Sequence, residues 1–464
     1  MSEKRSTFSG SLGFVLAAAG SAVGLGNIWR FPYLAAKHGG LFLVIYIILA
    51  LTFGFALLTA EIAIGRKTRQ SPLTAYGSLK KNWRGLGFIA CLIPFLIITY
   101  YCIIGGWVLK YMVAFLIGHG TMAAEDSYFT GFITSTAEPI IFTAIFLGLT
   151  AFYILRGVNK GIERISKILM PVLIILVVGI SIFAMTMSHT ADDGTVRTGL
   201  DGLKIYVKPN FTGVTANQFL IVLMDAAGQL FYSLSVAMGI MIAYGSYLRD
   251  EDNMVRSINQ IEIFDTGVAL LAGLMIIPTV FIFMGQEGLD NAGPGLMFVA
   301  MPKVFQQMGG IGNFIGALFF IMVALAALTS CISILEAVVS SLMDLFKISR
   351  TKATCTAFPV ILVLSIIICL GYNVFYFEVS LPNGATAQIL DIVDYLSNNI
   401  LMPVIEILTC VLVGWVLKPM VIIDEVTKNG EHFTREKLFV VMIKFVAPVL
   451  LVILLLKGFG ILNL

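Results

Sequence analysis

The chain has 464 residues, 58% of them hydrophobic and 12% charged, with a formal net charge of +3 and a mean hydropathy of +0.94. A soluble domain carries about 25% charged residues, so this composition excludes a soluble enzyme or binding domain and predicts an integral membrane protein of helices. The small positive balance records basic loops rather than a nucleic-acid partner; membrane lipid is the expected surrounding.

Eleven segments are long enough to cross about 30 Å of hydrocarbon at about 20 residues each. They lie near 11–36, 41–65, 88–117, 136–155, 162–187, 215–247, 256–283, 312–345, 353–376, 389–417 and 436–459. The first is too long and too featured for a cleaved signal peptide. It contains Gly20-Ser21-Ala22-Val23-Gly24-Leu25-Gly26-Asn27, followed by Ile28-Trp29-Arg30-Phe31-Pro32. Helix packing accounts for single glycines of this kind. The cluster with Asn27 and the following Arg-Phe-Pro instead predicts an unwound stretch, which hydrocarbon tolerates only against protein or a wet cavity. A dinucleotide reading of Gly24-x-Gly26 fails, because no strand precedes it.

The link 66–87 holds Arg66, Lys67, Arg69, Lys80, Lys81 and Arg84 and no acid, and 156–167 and 347–352 are also basic. Glu125, Asp126, Asp192, Asp193 and Asp201 fall in the alternate loops. The N-terminus is therefore expected in the cytoplasm and, with eleven spans, the C-terminus outside. The connections 66–87 and 418–435 are expected to lie along the membrane surface, and the long outer loops 188–214 and 284–311 to act as lid or vestibule wall. In the third span, Thr99-Tyr100-Tyr101 sits away from the interfacial belt, so a tyrosine hydroxyl there needs an interior partner, from the core or from a solute.

The sixth segment breaks in turn, through Gly228-Gln229-Leu230-Phe231-Tyr232-Ser233-Leu234-Ser235-Val236-Ala237-Met238-Gly239. Broken helices opening two successive sets of five spans are what an inverted repeat predicts, about 11–187 and 215–417, with 436–459 an added eleventh helix. Serines of membrane helices usually bond to their own carbonyls; beside a kink they also offer oxygens to a hard cation. The eighth span carries Thr329 and Ser330 in an apolar run. Of the intramembrane acids, Asp265 lies deepest and reads as a cation ligand; Glu61, Asp225 and Glu406 read equally as structural acids bonded to backbone. The six cysteines lie in or beside apolar segments and are expected as free thiols. His38, His119, His189 and His432 show no ligand spacing, and no nucleophile–base pair suggests an enzyme.

With these motifs the chain resembles, over essentially its whole length, a bacterial neurotransmitter:sodium symporter of the LeuT type. The run Gly20 to Pro32 is similar to that family's first-helix signature and Gly228 to Ser235 to its sixth, with Tyr100-Tyr101 and Leu328-Thr329-Ser330 in the right order and spacing. That fold is itself the type example of broken helices at an inverted-repeat interface, so the expected buried site and the resemblance are not independent. The resemblance implies sodium-coupled import of a neutral, mainly hydrophobic L-amino acid in the inner (plasma) membrane, on a single domain spanning 1–464.

By resemblance, one sodium would meet Ala22, Asn27, Ser233, the Asp265 position and the solute carboxylate. A second would meet Gly20, Val23, Ala326, Thr329 and Ser330. The solute carboxylate would also meet the Leu25 and Gly26 amides and the Tyr101 hydroxyl, and its ammonium would meet Ser235. Ser21, Ile97, Tyr232, Met238, Ser330 and Ile334 would line the remaining pocket. Arg30 with Asp394 resembles an outer gate with Tyr232 as lid, and Arg5 with Asp344 an inner gate, with Phe8 plugging the cytoplasmic path. Two departures stand out. The family usually has Asn where Asp265 stands, and its chloride-dependent animal members a serine where Ala269 stands. The Asp265 carboxylate is expected to replace chloride, and protonation of that acid in the empty carrier would give proton antiport. A glycine is also usual at Ala237, whose methyl is expected to narrow the pocket floor while Met238 adapts to several side chains. An ion channel or amino-acid-sensing receptor on the same scaffold is the alternative.

Overall fold

A computed structural model describes residues 6–191, 194–208 and 214–462. Among these, nine helices are long and apolar enough to cross a membrane, and one bent pair makes a tenth. The bent pair is α1 (Ser11–Ala22) with α2 (Gly26–His38), inclined by 53°. Val23 leaves the helical region at ψ 94; α2 begins with a π-helical turn, Gly26–Arg30, and Pro32 sits where the α-helical part Phe31–His38 starts.

In chain order the next elements are α3 (Gly40–Thr68), the short α4 (Pro72–Leu79), α5 (Lys81–Leu116), α6 (Asp126–Ile133), α7 (Glu138–Leu155) and α8 (Val158–Thr186). An outer hairpin of β1 (Ser188–Thr190) and β2 (Val196–Thr198) leads to α9 (Gly199–Val207). Thr198 caps α9 reciprocally with Asp201.

The sixth segment is α10 (Ala216–Ser233) and α11 (Ile240–Gly245), separated by Leu234–Gly239. At 18 residues α10 is as long as α7, but Asn217, Gln218, Asp225 and Gln229 make it less apolar; with α11 across the break it supplies the remaining span of the expected eleven. The break is shorter than its sequence suggested, because α10 stays helical through Gly228 to Ser233. Then follow α12 (Met254–Gly288), kinked at Gly285 (φ 66), and α13 (Met301–Gln307) in the long outer loop. The chain continues through α14 (Gly309–Phe346), α15 (Arg350–Leu370), the hairpin β3 (Val379–Ser380) with β4 (Thr386–Ala387), α16 (Ile389–Val416), α17 (Met420–Val426) and α18 (Glu436–Gly458). Both links expected along the membrane surface thus carry a short helix, α4 and α17.

The core surrounds α1, whose residues from Gly13 to Ala22 are all buried. Of the most apolar stretch of α14, 78% is buried, against 28% for α18, which places α14 centrally and α18 at the lipid-facing edge. Glycines on both helices allow a close crossing between α3 and α11. A methyl on Gly65 would stand 2.1 Å from the Ile242 carbonyl oxygen, and one on Gly245 2.4 Å from that of Ile62. All six cysteines are free thiols.

Candidate ion and solute site

The two breaks meet at the centre of the fold, and each has its loose backbone secured from elsewhere. At the first, the Gly24 amide donates to the Asn27 side-chain oxygen at 3.1 Å, and the Gln229 amide group donates to the Gly26 carbonyl at 3.0 Å. At the second, Ser235, Ala237 and Gly239 all take positive φ (54°, 62° and 69°). The Ala237 amide donates to Glu61 Oε1 at 2.7 Å, so a carboxylate on α3 answers a buried N–H that the helix abandons. Glu61 is thus the structural, backbone-bonded acid. Ala237 is absent from the pocket lining, which corrects the expectation that its methyl narrows the floor; Met238 does line the pocket.

One tight cavity gathers every residue expected around a solute. Ser21, Ala22, Leu25 and Gly26 come from the first break, and Tyr232, Ser233, Ser235 and Met238 from α10 and the second. Ile97 and Tyr101 come from α5, and Ser330 and Ile334 from α14. Gly24 and Asn27 complete the wall. The hydroxyls engage one another: Ser21 Oγ donates to Ser235 Oγ at 3.1 Å, and Ser235 and Ser330 both donate to the Ser21 carbonyl at 3.0 Å. The buried Tyr101 hydroxyl has no partner and stands where a methyl on Gly24 would lie 3.2 Å away.

Asp265 lies fully buried beside this cavity. Its Oδ1 accepts from Asn27 Nδ2 at 2.9 Å and from Ser233 Oγ at 2.7 Å, while Oδ2 has no partner. An unpaired carboxylate oxygen in an apolar interior is costly unless a cation meets it, so the donor set fits a hard monovalent ion. A second set of oxygens lies where α1 meets α14. Thr329 Oγ1 bonds the Ala326 carbonyl at 3.0 Å, and a methyl on Gly20 would lie 3.4 Å from Thr329 Cβ. Val23, extended beside them, frees its carbonyl from the helical ladder. Among the described residues no group of three His, Cys, Asp or Glu could hold a metal.

Above the site opens an outer cavity of about 500 Å³, and Tyr232 alone lines both spaces. Its ring covers Gly26, where a methyl would come within 3.0 Å of Cδ1. The expected outer gate is present but not joined. Asp394 accepts instead from Asn398 Nδ2 at 2.6 Å. The exposed Arg30 leans over Gly228, and no Arg30–Asp394 ion pair is found among the described residues. At the end of the fold that carries the N-terminal segment, Phe8 is buried against Phe14, Tyr244 and Tyr247, and its amide donates to the Tyr247 carbonyl at 3.0 Å. Asp344 Oδ2 accepts the Ser71 amide at 2.6 Å, whereas Arg5 lies outside the described residues. The path at this end is therefore plugged by Phe8 while the opposite end keeps a cavity.

Known proteins share both this sequence pattern and this architecture. The sequence profile of the sodium:neurotransmitter symporter family matches residues 5–124 and 133–462. The chain is 32% identical to the uncharacterized sodium-dependent transporter YhdH of Bacillus subtilis, over all of both chains. It is 31% identical to an uncharacterized sodium-dependent transporter of Haemophilus influenzae, over 98% of each. The crystal structure of MhsT in complex with L-phenylalanine superimposes with a TM-score of 0.84 at 32% identity, over 98% of this chain and 100% of that one.

Proposed function

Because this chain belongs to the sodium:neurotransmitter symporter family and shares its LeuT-type fold, we propose that it imports a neutral, mainly apolar L-amino acid with sodium by alternating access. The observation that carries this reading is the unpartnered Asp265 oxygen beside a cavity built from both broken helices. In the proposed arrangement Ala22, Asn27, Ser233 and Asp265 hold one sodium, which also touches the solute carboxylate. Gly20, Val23, Ala326, Thr329 and Ser330 hold the other. The free Tyr101 hydroxyl and the Leu25 and Gly26 amides receive the carboxylate, and Ser235 faces the ammonium. A zwitterion enters a dry core only if both charges are met, and an ion shared with its carboxylate makes the two affinities interdependent.

The pocket's apolar members, Ile97, Met238 and Ile334, support an uncharged side chain, as does the L-phenylalanine of the MhsT complex. Asp265 supplies a fixed negative charge, so transport proceeds without chloride, and a proton carried on that carboxyl during the empty return would give antiport. We place the carrier in the plasma membrane with its N-terminus in the cytoplasm and its C-terminus outside, and divide it into repeats 11–187 and 215–417 plus helix 436–459.

The test is uptake into proteoliposomes under an inward sodium gradient, with a labelled neutral amino acid challenged by a panel of others. Accumulation against a gradient, competed by apolar but not charged amino acids, is expected. Binding without accumulation would make the protein a receptor, and a preference for charged solutes would overturn the pocket assignment.

A further inference from the structure

The outer halves of the two broken spans, α2 and α10, have lost helical continuity with the inner halves at Val23–Leu25 and Leu234–Gly239. Side-chain ties therefore decide what they move with. Among the described residues, every ion pair of α2, α10 and α18 meets at Asp225. His38 Nε2, at the end of α2, lies 2.9 Å from Asp225 Oδ2, and Lys457 Nζ, in the last turn of α18, lies 2.8 Å from Oδ1. Lys37 stands farther off, at 3.9 Å.

The side chains of His38 and Asp225 are only 10% and 15% exposed, so water screens them little. The His38 ring is further stacked on Phe42 of α3. A methyl on Gly228 would meet Leu454 of α18 at 3.5 Å and Arg30 of α2 at 3.6 Å, so the three helices also pack where they line the outer cavity. These contacts correct one sequence reading: Asp225 binds side chains of two other helices rather than backbone.

We propose that Asp225, gripped by His38 and Lys457, is a positioning residue of the outer gate. It fastens α2 and α10 to each other and both to α18. The eleventh span, outside the two repeats, thereby travels with the gate and sets how readily the outer cavity opens. This rests on the alternating-access reading above.

The test adds one cysteine at Asn399, on the cavity wall, with Cys91 and Cys355 replaced and the buried Cys102, Cys331, Cys369 and Cys410 left in place. Its labelling by a membrane-impermeant maleimide is then timed in sodium and in potassium. Lys457→Met is expected to change the sodium-to-potassium rate ratio by about three- to fivefold, the scale of one partly screened ion pair. Lys457→Arg should retain the original ratio, and Lys457→Met should add nothing in an Asp225→Asn background, because both act through the same carboxylate. His38→Gln provides a second, milder probe should Lys457→Met fail to fold. A ratio unchanged by His38→Gln and Lys457→Met, or shifts that simply add, would overturn the proposal while the parent still responds to sodium. A parent that ignores sodium would overturn the transporter reading and this one with it.

Discussion

Replacing Asp265 by Asn removes the charge assigned to the first ion and alters little else. Oδ1 could still accept from Asn27 and Ser233, but the free Oδ2 would become an NH2 group pointing its hydrogens at the ion. Two unit charges about 4 Å apart attract by about 4 kcal/mol at an effective dielectric near 20. The amide oxygen recovers part of this, leaving a net loss of roughly 2–3 kcal/mol, or about 30- to 150-fold in sodium affinity. Sodium titration of amino-acid binding measures that loss directly. Parallel uptake in chloride and in gluconate asks whether an anion now matters, and a pH series asks whether proton exchange has gone. An Asp265→Asn carrier with unchanged sodium affinity, full uptake in gluconate and an unaltered pH response would refute the reasoning.

Gly65→Ala or Gly245→Ala forces a methyl onto a backbone carbonyl at the α3–α11 crossing and should cost about 1–3 kcal/mol, read as a lower melting temperature in detergent. Ala237→Gly relieves a left-handed residue and should stabilise by about 1 kcal/mol, leaving substrate preference unchanged because the methyl is outside the pocket lining. In the loop after α11, the Asp250 carboxyl is held below the usual carboxylate range by the Lys428 ammonium, which follows α17, with help from Arg69. That tie is complete at neutral pH and is lost as pH falls through the lowered value. The protection of amides around Asn429, which donates to the Asp250 carbonyl, taken relative to their intrinsic exchange rate at each pH, should fall on acidification, and Asp250→Asn should abolish that fall.

The membrane class, the eleven spans and the place of both breaks were legible because glycine, small polar residues and buried acids are rare in hydrocarbon and so conspicuous. The pocket residues were named through resemblance, and they converge on one cavity. What could not be read is how distant segments answer each other's loose ends. Nothing near Glu61 announces that it caps the Ala237 amide, 176 positions away, and nothing near His38 points to Asp225. The exact end of α10 was also hidden, since Gly228 and Gln229 are compatible with helix. Gly228 serves there as a thin contact and Gln229 as a donor to the neighbouring break.

The Ser21 carbonyl takes hydrogen bonds from two distant segments, Ser235 in the second break and Ser330 on α14. On the proposed reading, an arriving ammonium group would displace a hydroxyl rather than fill a void. Amino acids bearing the same head would then be told apart by how their tails seat, and the serines could bond one another again once the solute leaves.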